Sequence, residues 1–453
     1  MNKRTYFSAL VLGVLFLTAC GDGEAPELPT DTGDPALQRE LTDAIAAAGG
    51  TAAFTMPASD DYTNIPQDPL NPITAEKVEL GQFLFHETGL ALNAKETFAK
   101  GTFSCASCHM ASAGFQAGRV QGIADGGIGI GQRGEGRVRN ALYDGDSLDV
   151  QPIRTPTNLN LAYQQLTLWN GQFGGVGPNL DHAEKFTGFP LEVNQTGFEG
   201  PEVQAIAGLK VHRMVVDESI FDELPMYRPL FDAAFPDRTP ADRYSRETAG
   251  LAIAAYERVM LANGAPFQRW LRGEADALTD REKLGAIVFM TKANCVNCHS
   301  GPALSDGAFH ALGMGDLDLC PEEIFQTPET AGAHLGRMSF TQDPADRFKF
   351  KTPQLYNLTD SPFFGHGSSH RDLAGLVDFK MNARSENPRV SDQELSDDFR
   401  ALELTNEERA ALIDFLRFGL YDDNLKRYEP FELPSGNCFP NADPLSKQEM
   451  GCE

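Results

Sequence analysis

Basic residues are scarce in this 453-residue chain. Lys and Arg number 38 against 64 Asp and Glu, for a formal net charge of -26. So acidic a chain repels phosphate backbones, which argues against nucleic acid as a partner and leaves small molecules or basic proteins. Long apolar runs are also missing. The stretch Phe7 to Leu17 is too short to span a bilayer, which rules out a multi-span membrane protein. Alternating strand patterns are few, which disfavours an all-β fold. With 41% apolar and 23% charged residues, wholesale disorder is excluded as well. Tryptophan occurs only twice, at Trp169 and Trp270.

What is present begins with an address. Asn2-Lys3-Arg4, the apolar run to Leu17 and then Leu17-Thr18-Ala19-Cys20 read as a signal peptide over residues 1–19. A cysteine directly after Leu-Thr-Ala resembles a lipobox, which implies a lipid on Cys20, a membrane contact through that anchor alone, and a periplasmic location. Residues 20–66 are rich in Asp, Pro, Thr, Ala and Gly. They read as a mostly flexible tether with one short helix at Leu37–Ala48. Outside the cytosol each of the eight cysteines needs a role. Cys320, Cys438 and Cys452 allow one disulfide with one thiol left over. Cys438 with Cys452 is the simplest pair, being close in sequence, but the sequence does not choose.

The other four cysteines fall in two motifs. Cys105-Ala106-Ser107-Cys108-His109 and Cys295-Val296-Asn297-Cys298-His299 are both Cys-x-x-Cys-His. Two thiols one turn apart can bond the two vinyl groups of one haem, and the next histidine then reaches the iron. Two covalent c-type haems follow. A Cys₄ zinc site is the weaker reading, because both pairs are followed by His and lie far apart.

The remaining signals are helical. Thr74 caps a helix over Ala75–Phe85. Thr279 with Glu282 opens one to about Met290, Thr405 with Glu408 opens another over Glu407–Phe418, and Arg246–Ala262 carries apolar residues at helical spacing. Leu80-Gly81-x-x-x-Phe85 before the first motif is echoed by Leu284-Gly285-x-x-x-Phe289 before the second. The expected fold is mainly α, with two cytochrome c-like haem domains in tandem, long loops and few strands. The domains are residues 67–268 and 269–453, divided near Pro266–Gly273, with the last segment able to pack back on the first domain. Gly129-Ile130-Gly131-Gln132-Arg133-Gly134 matches a dinucleotide fingerprint, but no strand precedes it. It reads as a mobile loop beside the first haem.

The two motifs and several further segments resemble the bacterial dihaem cytochrome c peroxidases and MauG. These segments are Arg154-Thr155-Pro156-Thr157, Leu168-Trp169-Asn170-Gly171, Gln204-Ala205, Tyr227-Arg228-Pro229-Leu230-Phe231, Ala252 to Arg258, and Phe350-Lys351-Thr352-Pro353-Gln354-Leu355-Tyr356-Asn357. The resemblance runs from about Ile73 to Leu420. It implies that hydrogen peroxide reacts at the haem on His109 and that a small donor, a c-type cytochrome or a cupredoxin, delivers electrons to the haem on His299. Trp169 would be the relay between them and Trp270 a packing residue.

It also implies further site residues. Met381 is placed near the distal ligand position of the second haem, with Lys380 beside it and Met314 and Met338 as weaker candidates. No histidine lies between His109 and His182 to cap the first haem, so that haem is expected open at rest, as on the MauG side of the family. Gln204 matches the distal glutamine. The family's distal glutamate is absent; His212 as base and Arg213 as positive stabiliser stand at its place, and Glu202 is another candidate acid. A calcium ion between the domains is implied, yet Arg154 occupies the position of its asparagine ligand. The long stretch Phe173–Glu192 is left as either a partner surface or a cover for the pocket. Many members form homodimers. The leading reading is a peroxidase. MauG-like oxidation of residues on a partner protein and a non-enzymatic dihaem electron carrier are the alternatives.

Overall fold

In a computed structural model of the protein the structure describes residues 33–452. The signal peptide, Cys20 and the start of the expected tether lie outside the described residues.

Two helix pairs form the frame, and each is set by a glycine. The helix Ala75–His86 starts at Thr74, whose hydroxyl accepts from Lys77 N at 3.2 Å. It crosses the helix Arg246–Val259, which is buried from Thr248 to its end. At the crossing a Cβ on Gly81 would lie 2.0 Å from the Ala252 carbonyl oxygen. The second pair repeats the arrangement. Asp280–Met290 begins with the reciprocal Thr279–Glu282 capping box and packs on Asn406–Asp414. There a Cβ on Gly285 would lie 2.1 Å from Ala411 O. The Leu-Gly-x-x-x-Phe echo is therefore a close-packing device used once in each half.

Two helices end earlier than their sequence patterns. Arg246–Val259 stops before Ala262 because the following amides find other acceptors. Leu261 N donates to the Tyr428 hydroxyl (3.0 Å) and Ala262 N to Asn160 Oδ1 (2.9 Å). Asn406–Asp414 widens into a π-turn at Phe415–Gly419 instead of continuing as α-helix to Phe418. Among the described residues strand structure is limited to two antiparallel pairs, Gly127–Ile128 with Val138–Arg139 and Phe309–His310 with Phe350–Lys351.

Residues 33–66 do not form a tether. The helix at the expected place runs Pro35–Ala47, capped by Asp34, and buries Leu41, Ala44 and Ile45. It packs on Asp280–Met290, in the second half. Phe54, Met56 and Ile65 join the same core. At the other end of the chain, Ala442 N donates to Thr102 O and the Thr88 hydroxyl to Cys438 O, so the last residues lie on the first half. Each terminal segment thus packs on the opposite half, and the described residues make one compact unit. A cut at 268/269 marks the repeat but not the packing.

The glycine-rich loop is pinned rather than mobile. Gly129 N donates to Asp443 Oδ1, and the amides of Ile130 and Gly131 donate to Glu449 Oε2. The amides of Gly129, Ile130 and Gly131 therefore bind the chain's own carboxylates where a phosphate would sit. Cys438 and Cys452 are joined as a disulfide that closes this C-terminal segment, and Cys320 is free. The stretch after Trp169 packs across the halves: Arg337 donates to Gly171 O (2.9 Å) and Asn179 Oδ1 (2.6 Å), and His182 sits edge-on to Phe340.

Candidate active site: one cavity shared by two haem motifs

Both Cys-x-x-Cys-His motifs open into a single cavity of about 1060 Å³. That volume lies above the range usual for one small-molecule site. The two halves build their walls alike. In the first, His109 Nδ1 faces the Phe115 carbonyl at 3.1 Å; in the second, His299 Nδ1 faces the Leu304 carbonyl at 3.0 Å. A carbonyl at Nδ1 fixes the proton there and leaves Nε2 as a lone pair for iron. Burial lowers both imidazoles to about 4, so they are neutral at physiological pH. The four motif cysteines are unpaired, although either pair could have closed on itself. Thiols, imidazoles and volume fit two covalent haems.

Past each motif a second repeat crosses the molecule. Arg154-Thr155-Pro156 brings the Pro156 carbonyl to His109, and Lys351-Thr352-Pro353 brings the Pro353 carbonyl to His299. Arg154 N donates to His366 O and Lys351 N to Trp169 O, both at 2.8 Å. Each half's proline segment is therefore tied to the aromatic loop of the other half. Trp169 is held from both sides, because its indole N–H also donates to Arg154 O at 2.8 Å. Its ring meets His366 edge-on at 6.2 Å.

The helix Gly200–Val211 presents Gln204, Gly208 and His212 along one stripe of the cavity wall. Gly208 leaves the stripe open between the other two side chains. Gln204 Oε1 is buried without a hydrogen bond. His212 Nδ1 meets Asp149 Oδ2 at 3.0 Å. Burial opposes the charge on His212, but Asp149 outweighs it, and the net shift is upward.

Arg213 does not join them. Its guanidinium pairs with Asp125, donates to Ser147 O, and is absent from the cavity wall. Its backbone turns left-handed at φ 59°, which carries the side chain off the stripe. Glu202 is not available either, since it forms a fully buried two-point pair with Arg258 at 2.6 and 2.8 Å.

Sequence reasoning missed Glu257. It is 1% exposed, lines the cavity, accepts from Asn158 Nδ2 at 2.6 Å, and has Oε2 without a partner. Burial and the nearby Glu202 charge raise it to about 8, so it carries a proton at neutral pH. Its signal was an acid inside a helix that is otherwise mostly apolar, next to the buried Arg258. In the second half, Lys380 and Met381 on the helix Leu373–Asn382 both face the cavity, as does Met314, whereas Met338 does not. Trp270 is a packing residue, stacked on Phe267 with its N–H on Gln38 Oε1.

The profile of the di-haem cytochrome c peroxidases (CCP_MauG) matches residues 75–276. The methylamine utilization protein MauG of Methylorubrum extorquens is 28% identical over 82% of this chain and 89% of its own. Cytochrome c peroxidase Ccp of Escherichia coli is 27% identical over 68% of this chain and 54% of its own. This chain belongs to the dihaem cytochrome c peroxidase and MauG family. A solved MauG-like protein associated with microbial copper homeostasis shares the fold, with a TM-score of 0.54 and 23% identity over 86% of this chain and 98% of that one. The protein is thus a mainly α-helical dihaem oxidoreductase of the peroxidase type, which sets aside the electron-carrier reading. No helix among the described residues is long and apolar enough to cross a membrane.

The calcium implied by the resemblance does not fit this member of the family. In place of a neutral ligand stands the guanidinium of Arg154, with Lys351 as its counterpart in the other half, and no carboxylate meets either. Two buried positive charges repel a divalent cation where oxygen ligands should attract one.

Proposed function

We propose that this enzyme reduces hydrogen peroxide to water, two electrons and two protons turning one peroxide into two waters. Electrons come from a small periplasmic redox protein, a c-type cytochrome or a cupredoxin. They would enter in the C-terminal half, where Cys295, Cys298, His299 and Met381 would hold one haem, and pass by Trp169 to the N-terminal half, where Cys105, Cys108 and His109 would hold the other. The haem supplies the redox chemistry that cleaves the O–O bond. The protein positions and protonates: Gln204 offers an amide toward the pocket, and His212 takes up and returns a proton under the control of Asp149. The observation that carries this reading is the placement of Trp169 on the wall of a cavity shared by both motifs, tied to the proline segment of each half.

One observation favours a second reading, the peroxide-driven oxidation of residues on a partner protein. No histidine lies between His109 and His182, so the first haem would be expected open in the resting state. Anchoring by lipid on Cys20 and homodimer formation belong to the same proposal.

The test mixes fully oxidised protein with peroxide and a reduced small cytochrome c. Donor oxidation without prior reduction supports the peroxidase and the open first haem together. Activity only after half-reduction would refute the open haem. No turnover, but lasting peroxide-induced spectral change, would shift the function to a partner-modifying enzyme.

A further inference from the structure

Two buried cations on the cavity wall, among the described residues, have no carboxylate partner. Arg154 is 2% exposed and Lys351 8%. The Arg154 guanidinium donates only to uncharged oxygens: Arg119 O (3.2 Å), Ala117 O (3.3 Å), Gln116 Oε1 (2.9 Å), Ser361 Oγ (3.2 Å) and Ser368 Oγ (3.5 Å). The Lys351 ammonium donates to Gln164 Oε1. In a chain with 64 acidic side chains, no described carboxylate hydrogen-bonds to either one. Burial pushes Arg154 down to about 9 and Lys351 to about 7, as expected where a positive charge lacks a counter-charge. Arg137 and Arg258, by contrast, are paired with Asp443 and Glu202, while Arg337, off the cavity wall, is held by Asn170 O, Gly171 O and Asn179 Oδ1. A buried charge without a partner is costly, and an opposite charge arriving in the cavity would offset that cost.

The two residues are also counterparts. Each stands two positions before the proline whose carbonyl meets the motif histidine of its own half. Each gives its backbone N–H to the aromatic loop of the opposite half. Both line the shared cavity. The pattern is a buried cation at the same place in each half, repeated by the fold. A haem brings two propionate carboxylates with it, and nothing else in the proposed chemistry is a permanent anion. We infer that Arg154 and Lys351 are the propionate-binding cations of the two haems, one for each half. This rests on the dihaem reading. A fixed positive charge beside a haem favours the ferrous over the ferric state, so the pair also sets the two reduction potentials.

The test is a spectroelectrochemical titration of the full holoprotein and its Arg154→Gln, Lys351→Gln and Arg154→Lys variants. Each Gln variant should lower the potential of one haem by tenfold or more in its ferric–ferrous equilibrium, about 59 mV for one electron. The affected potential should also become pH-dependent, because a buried propionate left without its cation takes up a proton on reduction. Arg154→Lys keeps the charge and should stay near the wild-type value. Gln variants with a full haem complement and both potentials unchanged would overturn the inference. Where a Gln variant does not take up haem, redox-difference infrared spectra of the wild type with carboxyl-labelled haem decide. Propionates ionised in both redox states support the inference, and protonation on reduction refutes it. Failure of the dihaem reading would show separately, as a wild-type chain carrying fewer than two haems in a pyridine haemochrome assay.

Discussion

Replacing Trp169 by Phe removes the group on which the electron path depends and leaves a ring in its place. The structural loss can be sized. The indole N–H bond to Arg154 O, 2.8 Å long, disappears. One such bond is worth about 1 kcal/mol net, and a carbonyl left unsatisfied away from water costs about 1–3 kcal/mol. A domain of ordinary stability, with about 5–15 kcal/mol in hand, survives that. The kinetic loss is separate from this structural one. If Trp169 carries electrons between the haems, steady-state oxidation of the donor should fall by about tenfold or more, which corresponds to a barrier increase of at least ~1.4 kcal/mol. The fast reaction of peroxide with the first haem should keep its second-order rate constant. Stopped-flow spectroscopy separates the two, following the Soret band of the enzyme after a single peroxide addition and then the donor under turnover. Trp270→Phe is the matched control. It also loses one indole hydrogen bond, to Gln38 Oε1 at 2.9 Å, and its ring stacks on Phe267 away from the cavity wall. Its stability should fall similarly while turnover stays. A Trp169→Phe enzyme with both haems and near wild-type turnover, or an equal loss in Trp270→Phe, would refute the relay.

Four further outcomes are expected. His212 works as a base only when neutral and its titration is shifted up, so peroxide reactivity should rise with pH through that raised value. Asp149→Asn should move the rise to lower pH, and His212→Gln should flatten it with a loss of roughly 10²-fold or more, read in pH-resolved stopped flow. Glu257 holds its proton to about 8 in the fold, against an ordinary value near 4.5, so the unfolded chain binds fewer protons across that window and stability falls as pH rises through it. Glu257→Gln should remove that slope, by on the order of a few kcal/mol at the alkaline end, in denaturant titrations at several pH values. Met381→Leu should abolish the absorption signature of methionine–iron ligation and lower the potential of the second haem, while Lys380→Met should keep both; the reverse pattern assigns the lysine. Gly285→Ala forces a Cβ to within 2.1 Å of Ala411 O and should destabilise the second half by about 1–3 kcal/mol or more in thermal unfolding, with the first haem's spectrum retained longest.

The parts of this molecule legible in its sequence are those where a local rule governs. Cys-x-x-Cys-His follows from bond lengths, Thr279–Glu282 from the geometry of a helix start, and Gly81 and Gly285 from the need for two backbones to touch. The parts that were not legible depend on partners far along the chain. Nothing in Leu37 to Ile65 says that this stretch will meet Asp280–Met290. Its Asp, Pro and Gly content reads as solvated linker, and only the tertiary contact of Leu41 and Ile45 changes that. Arg213 follows His212 directly, and one left-handed residue sends the two side chains to different places. The glycine loop fits a phosphate cradle by pattern but is filled by Asp443 and Glu449 from the far end of the chain. Glu257 was hidden by its own segment, which reads as a core helix and is one, apart from a single carboxyl turned to the cavity.

The duplication of the fold accounts for how one chain could run two unlike haems. On the proximal side the halves are nearly interchangeable: a histidine whose Nδ1 is fixed by a carbonyl, a proline carbonyl beside it, and a buried cation two residues earlier. A shared scaffold alone would give two similar sites. The difference arises on the opposite wall, where each half contributes one helix. Gly200–Val211 offers an amide and a glycine gap, and just past its end stands a histidine held by Asp149. Leu373–Asn382 offers a thioether and an amine in adjacent positions. A site with an open wall can admit peroxide, and a site with a ligand on its wall can hold one redox state and pass electrons without competing for substrate. The assignment of peroxide to the first haem and of electron entry to the second therefore rests on Gln204, Gly208 and His212 on one wall and Lys380 and Met381 on the other. Exchanging Gln204 for methionine is the economical challenge to it, because a ligand supplied on the first wall should suppress peroxide reactivity while leaving haem attachment and the Trp169 contacts intact.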